Sequence, residues 1–281
     1  MSVQRMIVGP RAEVFALFML GQGIGFSVTG ELDIWAVLFA FLWSRMGVVA
    51  IQIINASRDA RANRIATADR MQKLAIAMIA VMVGLYLVWM GLYSWVSGLT
   101  AMLLTLLLAG IYYLPPMRLR YYGGGEIVEM LALGIGVPVV SAYLRAEHQL
   151  PIVAVTSLFP FGLLALAAAL NRRWFSLHED RRLGKATLPS RLAPRRVVVF
   201  LAGLFGFAAL LFGSHAINYS YMPIVFPILA ALLCVYYAYA FYQNRNTVGD
   251  VVQRLPLRDM ASRALVITAL VYAAGWAVGG M

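Results

Sequence analysis

Asn55, Asp59 and Asn63 stand four residues apart, a spacing that stacks three oxygen-bearing side chains on one face of a continuing helix. A hard cation takes oxygen ligands of this kind. The competing use of Asp59 is a salt bridge to Arg58, Arg61 or Arg64. Exposed pairs of that sort contribute only ~0.2–1 kcal/mol and do not explain the spacing, which favours Asp59 as a ligand. A second polar segment runs from Asn171 through Arg172, Arg173, Ser176, His178, Glu179 and Asp180 to Gly184, Lys185 and Thr187. Asp180 is either a ligand or the partner of Arg181 or Arg182, and its place ahead of Gly184-Lys185 favours a functional role. His178 is open between metal ligand, proton acceptor and solvated loop residue. Lys185, Arg118 and Arg120 suit an anionic group, whether on a substrate or on a lipid headgroup. Glu126, with Glu129 one turn on, either complements a helix N-terminus or orients a cation.

The elements that must position these residues are membrane helices. The 281 residues are 62% hydrophobic and 12% charged, with a mean hydropathy of +0.79. A soluble domain needs far more polar surface to cover its core. Apolar stretches recur instead at about the length that crosses a ~30 Å hydrocarbon layer. The pattern predicts about nine helices, at 12–28, 34–54, 74–94, 97–114, 127–144, 152–170, 197–214, 223–242 and 262–279. The opening residues lack the apolar core and cleavage site of a signal peptide, so the first apolar segment is expected to stay in the protein.

A net charge of +11 raises the question of nucleic acid, and the placement of the cations answers it. Of 23 lysines and arginines, 21 fall in the N-terminal segment or in the four longer connections, and the opposite side carries only Arg145. Cationic connections resist translocation, which places the N-terminus in the cytoplasm and, with an odd number of helices, the C-terminus outside. No nucleic-acid partner is needed. Arg45 lies inside the second helix, seven residues from Gln52, and the two together predict a helix face turned to a polar cavity or to a partner such as Glu13. Gly98, Gly110, Gly134 and Gly136 would let helices approach closely. Pro138, Pro160 and Pro227 are expected to kink them. The single cysteine, Cys234, lies in an apolar run and forms no intrachain disulfide.

Both polar segments begin with Asn at the predicted end of a helix and are separated by four helices. Duplication of a four-helix unit, about 12–126 and 127–261 within one membrane domain of residues 1–281, would leave that correspondence. Here the chain resembles the UbiA superfamily of intramembrane prenyltransferases. In that family two aspartate-rich motifs follow helices two and six, and the second leads into D-R-x-x-G-K-x-T-L-P-x-R-L. Residues Asp180 to Leu192 fit that run almost throughout, and Tyr113-Leu114-Pro115-Pro116-Met117-Arg118-Leu119-Arg120 followed by Gly124-Gly125-Glu126 matches a third family feature. The style is closest to the dihydroxynaphthoate prenyltransferase branch.

The resemblance implies an all-α membrane bundle with a central cavity at the cytoplasmic side, in a bacterial or archaeal inner membrane. It also implies transfer of a prenyl group from an isoprenyl diphosphate to a lipophilic aromatic, quinone-precursor-like acceptor. Mg²⁺ would be held by Asn55, Asp59, Asn63 and Asp180, with Asp59 and Asp180 the catalytic carboxylates. Asn55, Arg118, Arg120, Glu126, Arg172, His178 and Lys185 would contact the substrate. This sequence departs from the pattern at several positions. Ala56 and Asn63 stand where the first motif has acids; Ser176 and His178 stand where the second does; Arg172 and Arg173 replace a pair of Asn or Asn-Asp. Three readings follow: one metal with Arg172 and Arg173 on the diphosphate, a related isoprenoid reaction, or a lipid-binding paralogue or membrane subunit without catalysis. A protein partner is left open.

Overall fold

The computed structural model describes residues 11–30, 68–92, 123–146, 150–182, 184–218, 222–246 and 257–279, together with isolated positions between 34 and 57 and between 96 and 119. Every regular element among them is helical. In chain order these are α1 (Arg11–Thr29), α2 (Ala68–Leu92), α3 (Gly125–Glu129), a π-helical segment (Met130–Gly136), α4 (Val137–Ala146), α5 (Ile152–Thr156), α6 (Phe159–Phe175), α7 (Leu177–Arg182), α8 (Leu188–Arg191), α9 (Pro194–Asn218), α10 (Val225–Gln243) with a 3₁₀ turn (Asn244–Asn246), and α11 (Met260–Gly279).

Six helical stretches among the described residues are long and apolar enough to cross a membrane: Ala12–Thr29, Gly125–Tyr143, Ile152–Phe175, Pro194–Asn218, Val225–Asn246 and Met260–Gly279. They are apolar on the outside as well as the inside. In α10, Ala230, Cys234, Tyr237 and Phe241 are buried, whereas Ile228, Leu229, Leu232, Val235, Tyr236 and Tyr239 are exposed on another face. A helix that presents leucine, valine and tyrosine outward is stable against lipid and not against water.

The packing order follows a ring. α1 packs on α4 and α11, α6 on the π segment, α9 and α11, and α10 on α9 and α11. The interior is one continuous core drawn from α1, α4, α6, α9, α10 and α11, with Phe161, Phe212 and Tyr272 meeting at ring-centroid distances of 5.1–5.3 Å. Several polar residues inside it are paired. Gln22 Nε2 donates to Ser141 Oγ at 2.9 Å and to the Ser141 carbonyl at 3.1 Å, and Ser141 Oγ donates to the Phe18 carbonyl. His215 and Tyr272, both buried, share a 2.7 Å hydrogen bond. These bonds tie α1 to α4 and α9 to α11 where lipid gives no hydrophobic bias between helices.

Three expectations change. The stretch expected as a plain helix over 127–144 contains a π-helical segment, against which α6 packs closely. A Cβ at Gly134 would lie 2.6 Å from both the Gly162 Cα and the Phe161 carbonyl oxygen, so only hydrogen fits there. Pro160 is the second residue of α6, after a turn at Ser157–Leu158, and Pro227 lies in the first turn of α10. Proline is tolerated in a first turn, where its missing N–H costs nothing, so these two mark helix starts instead of bending helix interiors. Finally, the helix expected to stop at residue 170 runs on to Phe175, which puts Asn171, Arg172 and Arg173 in its last turns and not in a loop. Basic side chains suit a helix C-terminus, and here they find acids on neighbouring helices.

Candidate functional site at the polar end of the bundle

Helices α1, α3 and α11 begin at one end of the bundle, and α6 ends there. Glu13, in the first turn of α1, is 3% exposed. Arg172, near the end of α6, donates from Nη1 to Glu13 Oε1 at 2.6 Å and to Oε2 at 2.7 Å, and from Nη2 to Glu129 Oε2 at 3.4 Å. Arg173 donates to Glu129 Oε1 at 3.0 Å and lies 3.7 Å from Asp180 Oδ1. Lys185 Nζ is 3.8 Å from the same oxygen, and Ser176 Oγ donates to Asp180 Oδ2 at 3.2 Å. The chain of contacts Glu13–Arg172–Glu129–Arg173–Asp180–Lys185 therefore alternates in sign along its length. Three acids face three bases.

The 176–191 segment is pinned to this end by local geometry. α7 closes on Asp180, and the Lys185 amide donates to the Asp180 carbonyl at 2.9 Å, with Gly184 in the left-handed region at φ +67° between them. Asp180 and Lys185 are both buried. Burial of a lysine and an aspartate is sustainable only because they neutralise each other. Glu126, 2% exposed, accepts a hydrogen bond from the Leu188 amide at 3.2 Å through Oε1. Next to it Gly123 takes φ +81°, and a Cβ there would sit 2.8 Å from the Ala186 carbonyl oxygen. The glycine-rich run before α3 and the Gly-Lys-Ala-Thr-Leu-Pro run after α7 are thus docked on each other, although some sixty residues separate them.

Asn171 is buried, and its amide nitrogen donates to the carbonyls of Leu257 and Arg258 at 2.8 and 2.9 Å. It holds the approach to α11 instead of reaching toward Asp180. Three buried side-chain oxygens at this end, Glu126 Oε2, Asn171 Oδ1 and Thr187 Oγ1, have no hydrogen-bond partner among the described residues.

Of the residues singled out by sequence, Glu126, Arg172, Asp180 and Lys185 come together at this end; His178 is exposed on α7. Arg172, expected on a substrate phosphate, is bound by Glu13 and Glu129, because a buried Glu13 demands a cation and Arg172 Nη1 reaches both of its oxygens. Asn55, Asp59, Asn63, Arg118, Arg120 and Arg45 lie outside the described residues. Their neighbours are informative: Ile54 and Leu119 pack against Val128, the residue before Glu129, and Phe41 meets Phe15 and Phe18 of α1 edge-on. Sequence reasoning set Arg173 on the diphosphate and Glu13 beside Arg45, and missed that Glu13 pairs with Arg172 and Arg173 with Glu129. A lone acid at the start of an apolar helix was the available signal.

Mg²⁺, which the resemblance implies, is a poor match for the α6 side of this end. Among the described residues no three His, Cys, Asp or Glu side chains gather as a metal site. Asp180 is the only in-register carboxylate there, and both of its oxygens are engaged, by Ser176 on one side and by Arg173 and Lys185 on the other.

Lipid-facing apolar helices, closed at one end by ion pairs, define an integral membrane bundle. The model of the UbiA prenyltransferase family matches residues 14–255, and the chain belongs to that family. Solved structures agree in fold. A UbiA homolog from Archaeoglobus fulgidus aligns at 17% identity and TM-score 0.66, covering 98% of each chain. A Cd²⁺-bound structure of a UbiA homolog from the same organism aligns at 16% identity and TM-score 0.63, covering 97% of this chain and all of the other. A structure described for digeranylgeranylglyceryl phosphate synthase aligns at 16% identity and TM-score 0.50, covering 99% of each. None of the curated proteins matches the chain.

Proposed function

We propose that this protein transfers a prenyl group from an isoprenyl diphosphate to a lipophilic aromatic, quinone-precursor-like acceptor, at the cytoplasmic end of one membrane domain built from two four-helix units. The observation that supports this most is the packing around α3 of described residues that flank or belong to the three family segments. Ile54 beside the first motif and Leu119 between Arg118 and Arg120 pack on Val128, while Glu129 and Glu126 of the same short helix bind Arg172, Arg173 and the Leu188 amide. A diphosphate leaving group needs its negative charge neutralised, and Lys185, Arg118 and Arg120 are the cations placed in those segments. Mg²⁺, where bound, would add electrostatic stabilisation of that leaving group, with Asn55, Asp59 and Asn63 as the residue types suited to hold it. The apolar tail would lie among the apolar helices, which is why such chemistry is done inside a membrane.

The self-neutral ion-pair chain supports a second reading, a lipid-binding membrane subunit without catalysis. An ion-pair chain whose three acids are already matched by three bases has little charge left for metal and anion together. The test is an assay of purified protein with Mg²⁺, several prenyl diphosphates and a panel of aromatic acceptors. Turnover that falls at least a hundredfold in an Asp59→Ala, Asp180→Ala double variant supports the enzyme. Normal turnover by that variant removes the site assignment, and no turnover together with no calorimetric binding of any prenyl diphosphate leaves the subunit reading.

A further inference from the structure

We propose that the α6 side of the site has exchanged its divalent cation for side-chain cations, with the Arg173 guanidinium, assisted by Lys185, standing at Asp180 in the metal's place. The inference deepens the prenyl-transfer reading of this site and rests on it for the identity of the anion. It is motivated by three observations. Arg173 sits where the family pattern has Asn or Asp, and its guanidinium lies 3.7 Å from Asp180 Oδ1 while also binding Glu129. Lys185 approaches the same oxygen at 3.8 Å from a buried position. Ser176, where the pattern has an acid, contributes a hydroxyl that donates to Asp180 Oδ2, so it stabilises the carboxylate without adding negative charge.

Charge and geometry account for the exchange. Arg173 and Lys185 together carry the +2 of a magnesium ion, and both are delivered to one carboxylate. A divalent ion at Asp180 would have to displace or repel two fixed cations and would find one carboxylate where the pattern supplies several. Arginine also keeps its charge at any working pH and presents several N–H donors, so it can hold a carboxylate and a phosphate oxygen at once, which a metal does through open coordination positions. The changes to Ser176 and Arg173 are concerted in sign: one position loses negative charge and the other gains positive charge. Any metal in this protein then relies on ligands other than Asp180, with Asn55, Asp59 and Asn63 the residue types suited to it.

The test uses the full chain in lipid nanodiscs and Mn²⁺ alone as the probe, followed by electron paramagnetic resonance. No more than one Mn²⁺ is expected per chain, with an affinity that Asp180→Asn changes by less than twofold. The Arg173→Asn, Ser176→Asp double variant is expected to take up one additional Mn²⁺, which Asp180→Asn then weakens at least tenfold. Two ions bound per wild-type chain, or a tenfold loss on Asp180→Asn in the wild type, would overturn the proposal. An absence of extra Mn²⁺ in a double variant that elutes as a monodisperse peak also counts against Arg173 as the replacing group. The wild-type comparison stands even where the double variant does not fold. None of these measurements needs a prenyl diphosphate, so failure of that ligand to bind would sink the proposed activity and leave the cation exchange judged on its own result.

Discussion

Arg172→Met should be among the most damaging single changes outside the apolar core. Glu13 is 3% exposed, and both of its oxygens lie within 2.7 Å of Arg172 Nη1. Removing the guanidinium strands that carboxylate, and breaking a buried pair from one side costs about 3–5 kcal/mol. The second contact adds little, since Glu129 keeps Arg173 at 3.0 Å and its side chain is 21% exposed; the loss there is ~0–1 kcal/mol. On the scale of large domains, where 1 kcal/mol moves Tm by about 2 °C, the midpoint in detergent should fall by roughly 6–10 °C. Glu13→Gln combined with Arg172→Met removes both charges together, and it should recover most of that loss because neither group is then left buried and unpaired. Thermal unfolding of the two single variants and the double gives the coupling directly. A drop below about 2 °C for Arg172→Met, or a double variant as unstable as the sum of the singles, would refute the reasoning.

Gly123→Ala and Gly184→Ala both force a side chain into the left-handed region, which costs ~1–2 kcal/mol, but only at Gly123 does the new Cβ also meet a carbonyl oxygen, that of Ala186 at 2.8 Å. Gly123→Ala should therefore lower Tm visibly more than Gly184→Ala in the same melt, and equal shifts would contradict the docking of the two segments. Gly134→Ala pushes a methyl against Gly162 and should cost ~1–3 kcal/mol as an overpacked contact, read as a lower Tm in differential scanning fluorimetry. Lys185→Met should reduce prenyl-diphosphate turnover by ~10²–10³-fold through loss of a leaving-group cation, measured with radiolabelled donor; retention of more than half the rate would exclude that role.

Much of this architecture was readable from composition and order alone. Apolar runs of membrane length predicted α1, α9, α10 and α11 to within a few residues, because a helix in lipid must be apolar wherever it touches lipid, whatever its partners. The run from Asp180 to Leu192 and the glycines before Glu126 pointed to the family for a similar reason: a left-handed turn at Gly123 or Gly184 is a local demand that leaves a local mark. The expected stop at residue 170 failed because charged residues look like a helix end when their neighbours in space are unknown. Asn171, Arg172 and Arg173 remain helical because Glu13, Glu129 and the carbonyls of Leu257 and Arg258 satisfy them.

The partners of those arginines are what tertiary structure decided. Glu13 is 159 positions from Arg172 and Glu129 is 44 from Arg173, and nothing in the local spacing of either segment says which acid will face which base. Sequence by itself determined that cations gather at the ends of helices and that Asp180 is the in-register acid of the second polar segment, as Asp59 is of the first. Only the packing of α1, α3 and α6 determined that Arg172 turns to Glu13 and Arg173 to Glu129. The physical reason is that solvation energy depends on distance through space, and a charge taken out of water must be matched by whatever the fold brings within about 4 Å.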